Sequence, residues 1–307
     1  MISDKTFRVL IDTDPGLGNN GADVDDGLAL FFMLNNPDIF EIKGVTTVFG
    51  NTRVNKGYSL LKKYLELAGR TEIPHKLGAK SKRELGKLND ASRFIIENVK
   101  EYPNELTLLP LGPLTNVSTA LQHYPELLDD LKEVIFMGGL LEPDEENKSP
   151  FDLGELFKTT EFNFHSDPFA TQQFIETNTF TPRIGVGLDI CKKVLFQEKH
   201  LMKIQEVQNP ITQYIYDYIV HWMKLWKFNK IDGFYPFDTL VPIYFLKPDL
   251  FTSRNVYLKV DTEETFGRLT VLDKDKENSA PISYCMDFKE TTGPEELMDL
   301  LISNLIK

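Results

Sequence analysis

The run Phe7-Arg8-Val9-Leu10-Ile11-Asp12-Thr13-Asp14-Pro15-Gly16 changes character halfway along. Phe7 to Asp12 has the apolar, β-branched make-up of a buried strand and ends in acidic residues. Pro15-Gly16 then supplies a turn. A strand that delivers carboxylates to a turn is the form expected of a parallel-sheet strand whose carboxyl end faces a ligand. Ile42 to Val48, Leu106 to Leu111, Val134 to Met137 and Arg183 to Leu188 read as further strands. Between them Val54, Tyr58, Leu61 and Leu65 recur at helical spacing, and Pro113 opens a helix running to about His123. This alternation predicts an α/β fold with an open, mainly parallel central sheet and helices on both faces.

No repeat, low-complexity tract or linker divides the chain, so residues 1–307 are expected to form one domain. Leu28 to Leu34 is the longest apolar run; it is too short to cross a bilayer and reads as a buried helix or strand. After residue 195 the pattern turns helical. Residues 211–230 are aromatic-rich, 256–270 resemble a hairpin and 294–307 a closing helix. Glu142 to Lys158 is acidic and loop-like, and the basic run Lys80 to Arg83 reads as a solvated face.

The net charge of −12 argues against nucleic-acid binding, which needs a basic footprint. A small neutral or cation-like substrate fits better. Two cysteines, Cys191 and Cys285, make neither a disulfide framework nor a zinc set. With no apolar leader stretch and no span, a reduced cytoplasmic setting is expected, without a membrane partner.

Asp12, Asp14, Asp23, Asp25 and Asp26 fall within fifteen positions. Crowded like charges need a cation or strong hydrogen bonding. Oxygen donors without Cys or His suit a hard divalent ion such as calcium rather than zinc. A solvated acidic loop is the rival reading. The other unusual residues collect at the ends of the expected strands: Gly50-Asn51, Leu111 to Asn116, Gly138-Gly139 and Asp189.

Ile11-Asp12-Thr13-Asp14-Pro15-Gly16 with Asp25-Asp26 resembles the D-x-D-x-x-x-D-D signature of the inosine-uridine type nucleoside hydrolases. Five more stretches match that family in order: residues 44–51 (GVTTVFGN), 111–116 (LGPLTN), 137–139 (MGG), 161–168 (EFN with Asp167-Pro168) and 187–189 (GLD). One acidic motif is weak; six collinear ones are specific and span nearly the whole chain.

The resemblance implies calcium-dependent cleavage of a ribonucleoside N-glycosidic bond, giving ribose and a free base. In that family calcium holds the attacking water and the ribose 2′- and 3′-hydroxyls. Carried over by position, Asp14, Asp26, Asp238 and the Leu111 carbonyl would hold the ion, with Asp14 also taking the water's proton. Asp25, Asn51, Glu161 and Asn163 would orient the ribose, and Asp12 would brace the site. The rival reading of Asn51 is a turn residue, and of Glu161 and Asn163 a helix cap. A homodimer or homotetramer is implied.

Three departures stand out. Residues 15 to 24 separate Asp14 from Asp25-Asp26, ten where the family has three, so about Leu17 to Val24 is inserted. Asp23, in this insertion, rivals Asp25 for its role. Phe237 precedes Asp238 where relatives often carry a His that protonates the leaving base. His221 reads as an ordinary packed or surface histidine, which leaves Tyr235, solvent or stacking as substitutes. Glu155 stands six residues before Glu161 where the family has Asn, with Asn147 as a shifted replacement. These departures favour a modified nucleoside or ribosylated cofactor fragment as the alternative substrate, or a non-catalytic nucleoside binder. The aromatics Tyr214, Tyr218, Trp222, Trp226, Phe234, Tyr235 and Phe237 read as core first and base platform second.

Overall fold

The computed structural model describes residues 6–143, 158–228, 230–273 and 278–307. Glu155 and Asn147 lie outside these residues. The first strand, β1 (Phe7–Thr13), is followed by α1 (Asp25–Leu34), β2 (Phe40–Thr47), α2 (Val54–Leu67) and β3 (His75–Leu77). Next come α3 (Asp90–Glu101), β4 (Thr107–Pro110), α4 (Thr115–His123) and β5 (Glu133–Met137). The chain resumes with α5 (Phe162–Ser166), α6 (Pro168–Glu176), β6 (Arg183–Val186), α7 (Leu188–Cys191), α8 (Glu198–Gln205) and α9 (Pro210–Phe228). It ends with α10 (Leu240–Leu246), β7 (Phe251–Val256), β8 (Leu258–Val260), β9 (Leu269–Val271), β10 (Ile282–Phe288) and α11 (Gly293–Leu305).

Eight strands form one sheet in the order β3-β2-β1-β4-β5-β6-β10-β7. All neighbours run parallel except β10 and β7. The expected mainly parallel sheet is therefore present. Its faces follow the period of two along each strand. Val9 and Ile11 of β1, Leu109 of β4 and Ile135 and Met137 of β5 join one apolar cluster. Leu10, Leu108, Val134 and Phe136 join the other. The first cluster is covered by α1, α2, α9 and α11, the second by α3, α4 and α6. Both faces thus carry helices.

From β1 the chain builds outward on one side through β2 and β3, then returns to β4 and builds outward on the other. The switch point lies between β1 and β4, where an open sheet leaves a crevice at its carboxyl edge. Register sets the level of that edge: Asp12 pairs with Thr46 of β2 and with Pro110 of β4. Asp14, Val48 and Gly112 follow immediately beyond.

The run Leu28 to Leu34 is helical and buried throughout. The expected hairpin is the antiparallel pair β8–β9. The helical reading of the tail overlooked β7 and β10. β7 is an edge strand whose residues 252–255 are exposed, so it lacks the apolar run that marks the inner strands. No helix among the described residues is long and apolar enough to cross a membrane.

Candidate active site

The acidic residues meet at the switch point. The side chain of Asp23 accepts the N–H groups of Val24 at 2.7 Å and Asp25 at 3.4 Å, so it holds the backbone just before α1. Asp25 and Asp26 then fill the first turn, where free N–H groups and the helix dipole favour negative charge. Asp26 Oδ1 accepts the Asp14 N–H at 3.2 Å and the Thr13 hydroxyl. Asp14 Oδ2 accepts the Asn51 N–H at 2.5 Å. Asp238 arrives from a short 3-10 turn, Phe237–Thr239, and its N–H donates to Asp25 Oδ2 at 3.2 Å. Asp25, Asp26 and Asp238 each offer an oxygen, all within 4.8 Å of one another.

Asp14, Asp25, Asp26 and Asp238 are buried, while Asp23 keeps partial access to solvent. Burial, reinforced by the neighbouring acids, pushes Asp14, Asp25 and Asp238 well above the usual carboxylate range. It raises Asp26 as well, and Asp23 to about 7. Buried carboxylates that repel one another while converging on one point have the donor chemistry of a hard divalent cation site, and the residues present fit one.

Asp12 stands one layer deeper and is fully buried. Its Oδ1 accepts the Thr46 hydroxyl at 2.5 Å and the Asn116 amide at 2.8 Å, while Oδ2 has no hydrogen-bond partner among the described residues. Burial raises it to about 7 against those two donors. Its backbone carbonyl accepts the N–H of Leu111 at 2.7 Å and of Gly112 at 3.4 Å, so it braces the turn after β4. The glycines of two motifs have a steric reason. A β-carbon at Gly50 would overlap Asp14 Oδ2, and one at Gly112 would lie 2.7 Å from Asp14 Oδ1. Only glycine lets both turns wall this carboxylate.

The expected ribose contacts are brought to the same edge, already engaged with the protein. Asn51 accepts the Asp23 N–H at 2.8 Å and donates to the Asp23 carbonyl at 3.1 Å. Glu161 caps α5: it accepts the N–H of Asn163 at 2.6 Å and of Phe164 at 3.0 Å, and that of Gly139 at 3.1 Å. Burial still raises it to about 7. The Asn163 amide donates to the Leu111 carbonyl at 2.8 Å, linking a ribose candidate to a metal-ligand candidate. Asp167 caps α6 through the Ala170 N–H at 3.1 Å, with Pro168 in the first turn.

Phe237 is half-buried and packs on Tyr235, with ring centroids 5.9 Å apart. Trp222, Trp226 and Phe234 are core, while Tyr214, Tyr218, Tyr235 and Phe237 are partly buried against it. His221 is exposed, its Nδ1 2.8 Å from the Asp217 carbonyl. Two contributors lie inside motifs read from the sequence but had no role there. Thr13 holds Asp26, and its position inside the D-T-D triplet was the available signal. Asn116 joins Asp12 to the Thr47 carbonyl at 3.0 Å and the Ala79 N–H at 2.9 Å, and it closes the LGPLTN motif.

The family model described as inosine-uridine preferring nucleoside hydrolase matches residues 9–292, and the chain belongs to that family. Among curated relatives, the chain is 26% identical to uridine nucleosidase 1 of Arabidopsis thaliana over 88% of this chain and 83% of that protein. It is 27% identical to a pyrimidine-specific ribonucleoside hydrolase of Photobacterium profundum over 97% and 98%. Among solved structures it superposes on a plant nucleoside hydrolase with a TM-score of 0.82 at 23% identity, covering 98% of this chain and 99% of that one. A purine-preferring ribonucleoside hydrolase from Gardnerella vaginalis gives 0.81 at 21%, covering 97% and 99%. These structures share the fold. Family membership makes the chain an enzyme of the nucleoside-hydrolase class.

Proposed function

We propose that the protein hydrolyses the N-glycosidic bond of a ribonucleoside with a calcium ion held among its switch-point carboxylates. The observation that carries this is the buried acid set: Asp25, Asp26 and Asp238 converge within 4.8 Å, with Asp14 hydrogen-bonded to Asp26 through its N–H. Asp14, Asp26, Asp238 and the Leu111 carbonyl are the proposed ligands, and the oxygen-only donors favour calcium. When bound, such an ion acidifies water and anchors vicinal hydroxyls.

Asp14 is fixed by the Asn51 N–H and walled by Gly50 and Gly112. It is the proposed base that takes the proton of the attacking water. The water oxygen bonds to C1′ as the bond from C1′ to the base breaks, and the electron pair leaves with the base. The surrounding carboxylates favour the oxocarbenium-like state between. Asp25, Asn163 and Glu161, with the Asn51–Asp23 pair, orient the ribose. Asn163 donates to Leu111 through its amide nitrogen and leaves its amide oxygen for a hydroxyl. Phe237 has no proton to give, so protonation of the departing base falls to Tyr235 or solvent.

Ribose release measured by reducing-sugar detection across a nucleoside panel tests this reading. The names of the relatives support starting with uridine and inosine. Turnover of at least one plain ribonucleoside is expected; none from any of them would overturn the proposal. Phe237 favours a second reading, a modified nucleoside or ribosylated cofactor fragment as substrate, which strong turnover of plain uridine or inosine would exclude. A cytoplasmic homodimer or homotetramer completes the proposal, with sedimentation of the purified chain as its check.

A further inference from the structure

The insertion between Asp14 and Asp25 is built into the site. Leu17 is buried, and its carbonyl accepts the hydroxyls of Tyr64 and, at 3.2 Å, Tyr214. Two tight turns follow, with Asn19 N–H to Gly16 carbonyl at 2.9 Å and Ala22 N–H to Asn19 carbonyl at 3.1 Å. Asn20 and Gly21 are exposed at the tip, and Ala22 and Val24 return to the interior. The loop is thus anchored at both ends, and what it delivers is Asp23.

Asn51 grips that residue at two points: its amide oxygen accepts the Asp23 N–H at 2.8 Å and its amide nitrogen donates to the Asp23 carbonyl at 3.1 Å. Only a longer contact to Asp26 Oδ2, at 3.4 Å, remains to that nitrogen. Both ends of the carboxamide are therefore committed to the insertion. Asp23 has the reverse character. Only its Oδ1 is engaged by these bonds: it accepts the N–H of Val24 at 2.7 Å and of Asp25 at 3.4 Å, which holds the carboxyl beside the start of α1. Asp23 is part-buried as a residue, where Asp14, Asp25, Asp26 and Asp238 are buried.

We propose that the insertion transfers a ribose contact from one residue to another: Asn51 positions Asp23, and Asp23 accepts a ribose hydroxyl beside Asp25. This rests on the nucleoside-hydrolase reading above. The chemical consequence is an exchange of recognition groups. A carboxamide both donates and accepts, whereas a carboxylate only accepts. The position therefore demands a hydroxyl donor and disfavours an esterified, anionic one.

A double-mutant cycle on kcat/KM for the best ribonucleoside tests the transfer. Losing a hydrogen bond to a charged group predicts a roughly ten- to hundred-fold drop for Asp23→Ala. Asn51→Ala, which keeps the backbone N–H on Asp14, should fall in the same range. The double variant should be no worse than the worse single one, because Asn51 acts through Asp23. Asp23→Asn keeps the capping oxygen and decides the matter if the alanine variant does not fold. The Asp23 loss should vanish with one of the 2′-, 3′- or 5′-deoxynucleosides, read as kcat/KM or as an inhibition constant. Additive losses in the cycle, equal losses with all three deoxynucleosides, or wild-type kinetics in Asp23→Asn would overturn the transfer while leaving the proposed reaction intact. A wild-type protein that releases ribose from no ribonucleoside overturns both.

Discussion

At the scale of single residues, Asp14 and Asp12 show how position divides similar side chains into different tasks. They sit two apart at the end of β1, yet Asp12 is sealed beneath Thr46 and Asn116 while Asp14 stands between the Gly50 and Gly112 turns. Asp14→Asn should reduce kcat by about 10²–10⁴, the range of a lost general base, with the unfolding midpoint unchanged or higher because a buried repulsion is relieved. Retained turnover would remove Asp14 from the chemistry. Gly112→Ala should also lower activity, because its new methyl presses on the Asp14 carboxylate; kinetics alongside a thermal melt separate that effect from unfolding. Asp12 belongs to stability. Asn116→Ala strips Asp12, the Thr47 carbonyl and the Ala79 N–H of a partner, and should cost on the order of 1–3 kcal/mol per buried group left unpaired, read by denaturant titration.

At the scale of elements, the acid-bearing strand and its relatives were legible because buried parallel strands must be apolar throughout and must end where polar residues begin. β1, β4, β5 and β6 are buried over most of their length, whereas β2 carries Glu41 and Lys43 before its buried end; all of the quoted motifs except residues 161–168 start on, or directly follow, a strand of this edge. The run Leu28 to Leu34 was legible as buried but not as helix rather than strand, because a short continuous apolar run has no period to separate the two. What sequence did not disclose were the partners that come from far along the chain. β10 lies between β6 and β7 although nearly a hundred residues separate it from β6, a long-range pairing with no local trace. The commitment of Asn51 to Asp23 and of Asn163 to Leu111 was likewise hidden, because a side-chain amide carries no signal of which backbone it will meet. Glu161 caps α5, as its rival reading had it, and the proposed ribose contact would be made by the same carboxylate. Glu161→Ala should therefore lower stability by about 1 kcal/mol through the lost cap as well as weakening substrate binding.

At the scale of the whole molecule, the switch point concentrates negative charge that the fold alone does not neutralise. The sign of the resulting pH dependence follows from the raised carboxyls. Asp12 and Glu161, both pushed up to about 7, have higher affinity for protons when folded than when unfolded. Their contribution to stability is fully present below the ordinary carboxylate pKa near ~4 and is lost as pH rises through about 7. In chelator, the protein should thus unfold more readily at about pH 8 than at about pH 5, and calcium should restore stability at the higher pH by binding the folded state. A metal-free stability that rises across that interval would contradict this electrostatic picture. The central claim, that these carboxylates hold calcium for ribonucleoside hydrolysis, is tested most directly by ribose release from uridine and inosine before chelation, after it, and after calcium is returned. The account predicts that release stops with the chelator and resumes with calcium; release that continues unchanged in a tight chelator, through many turnovers, would contradict it.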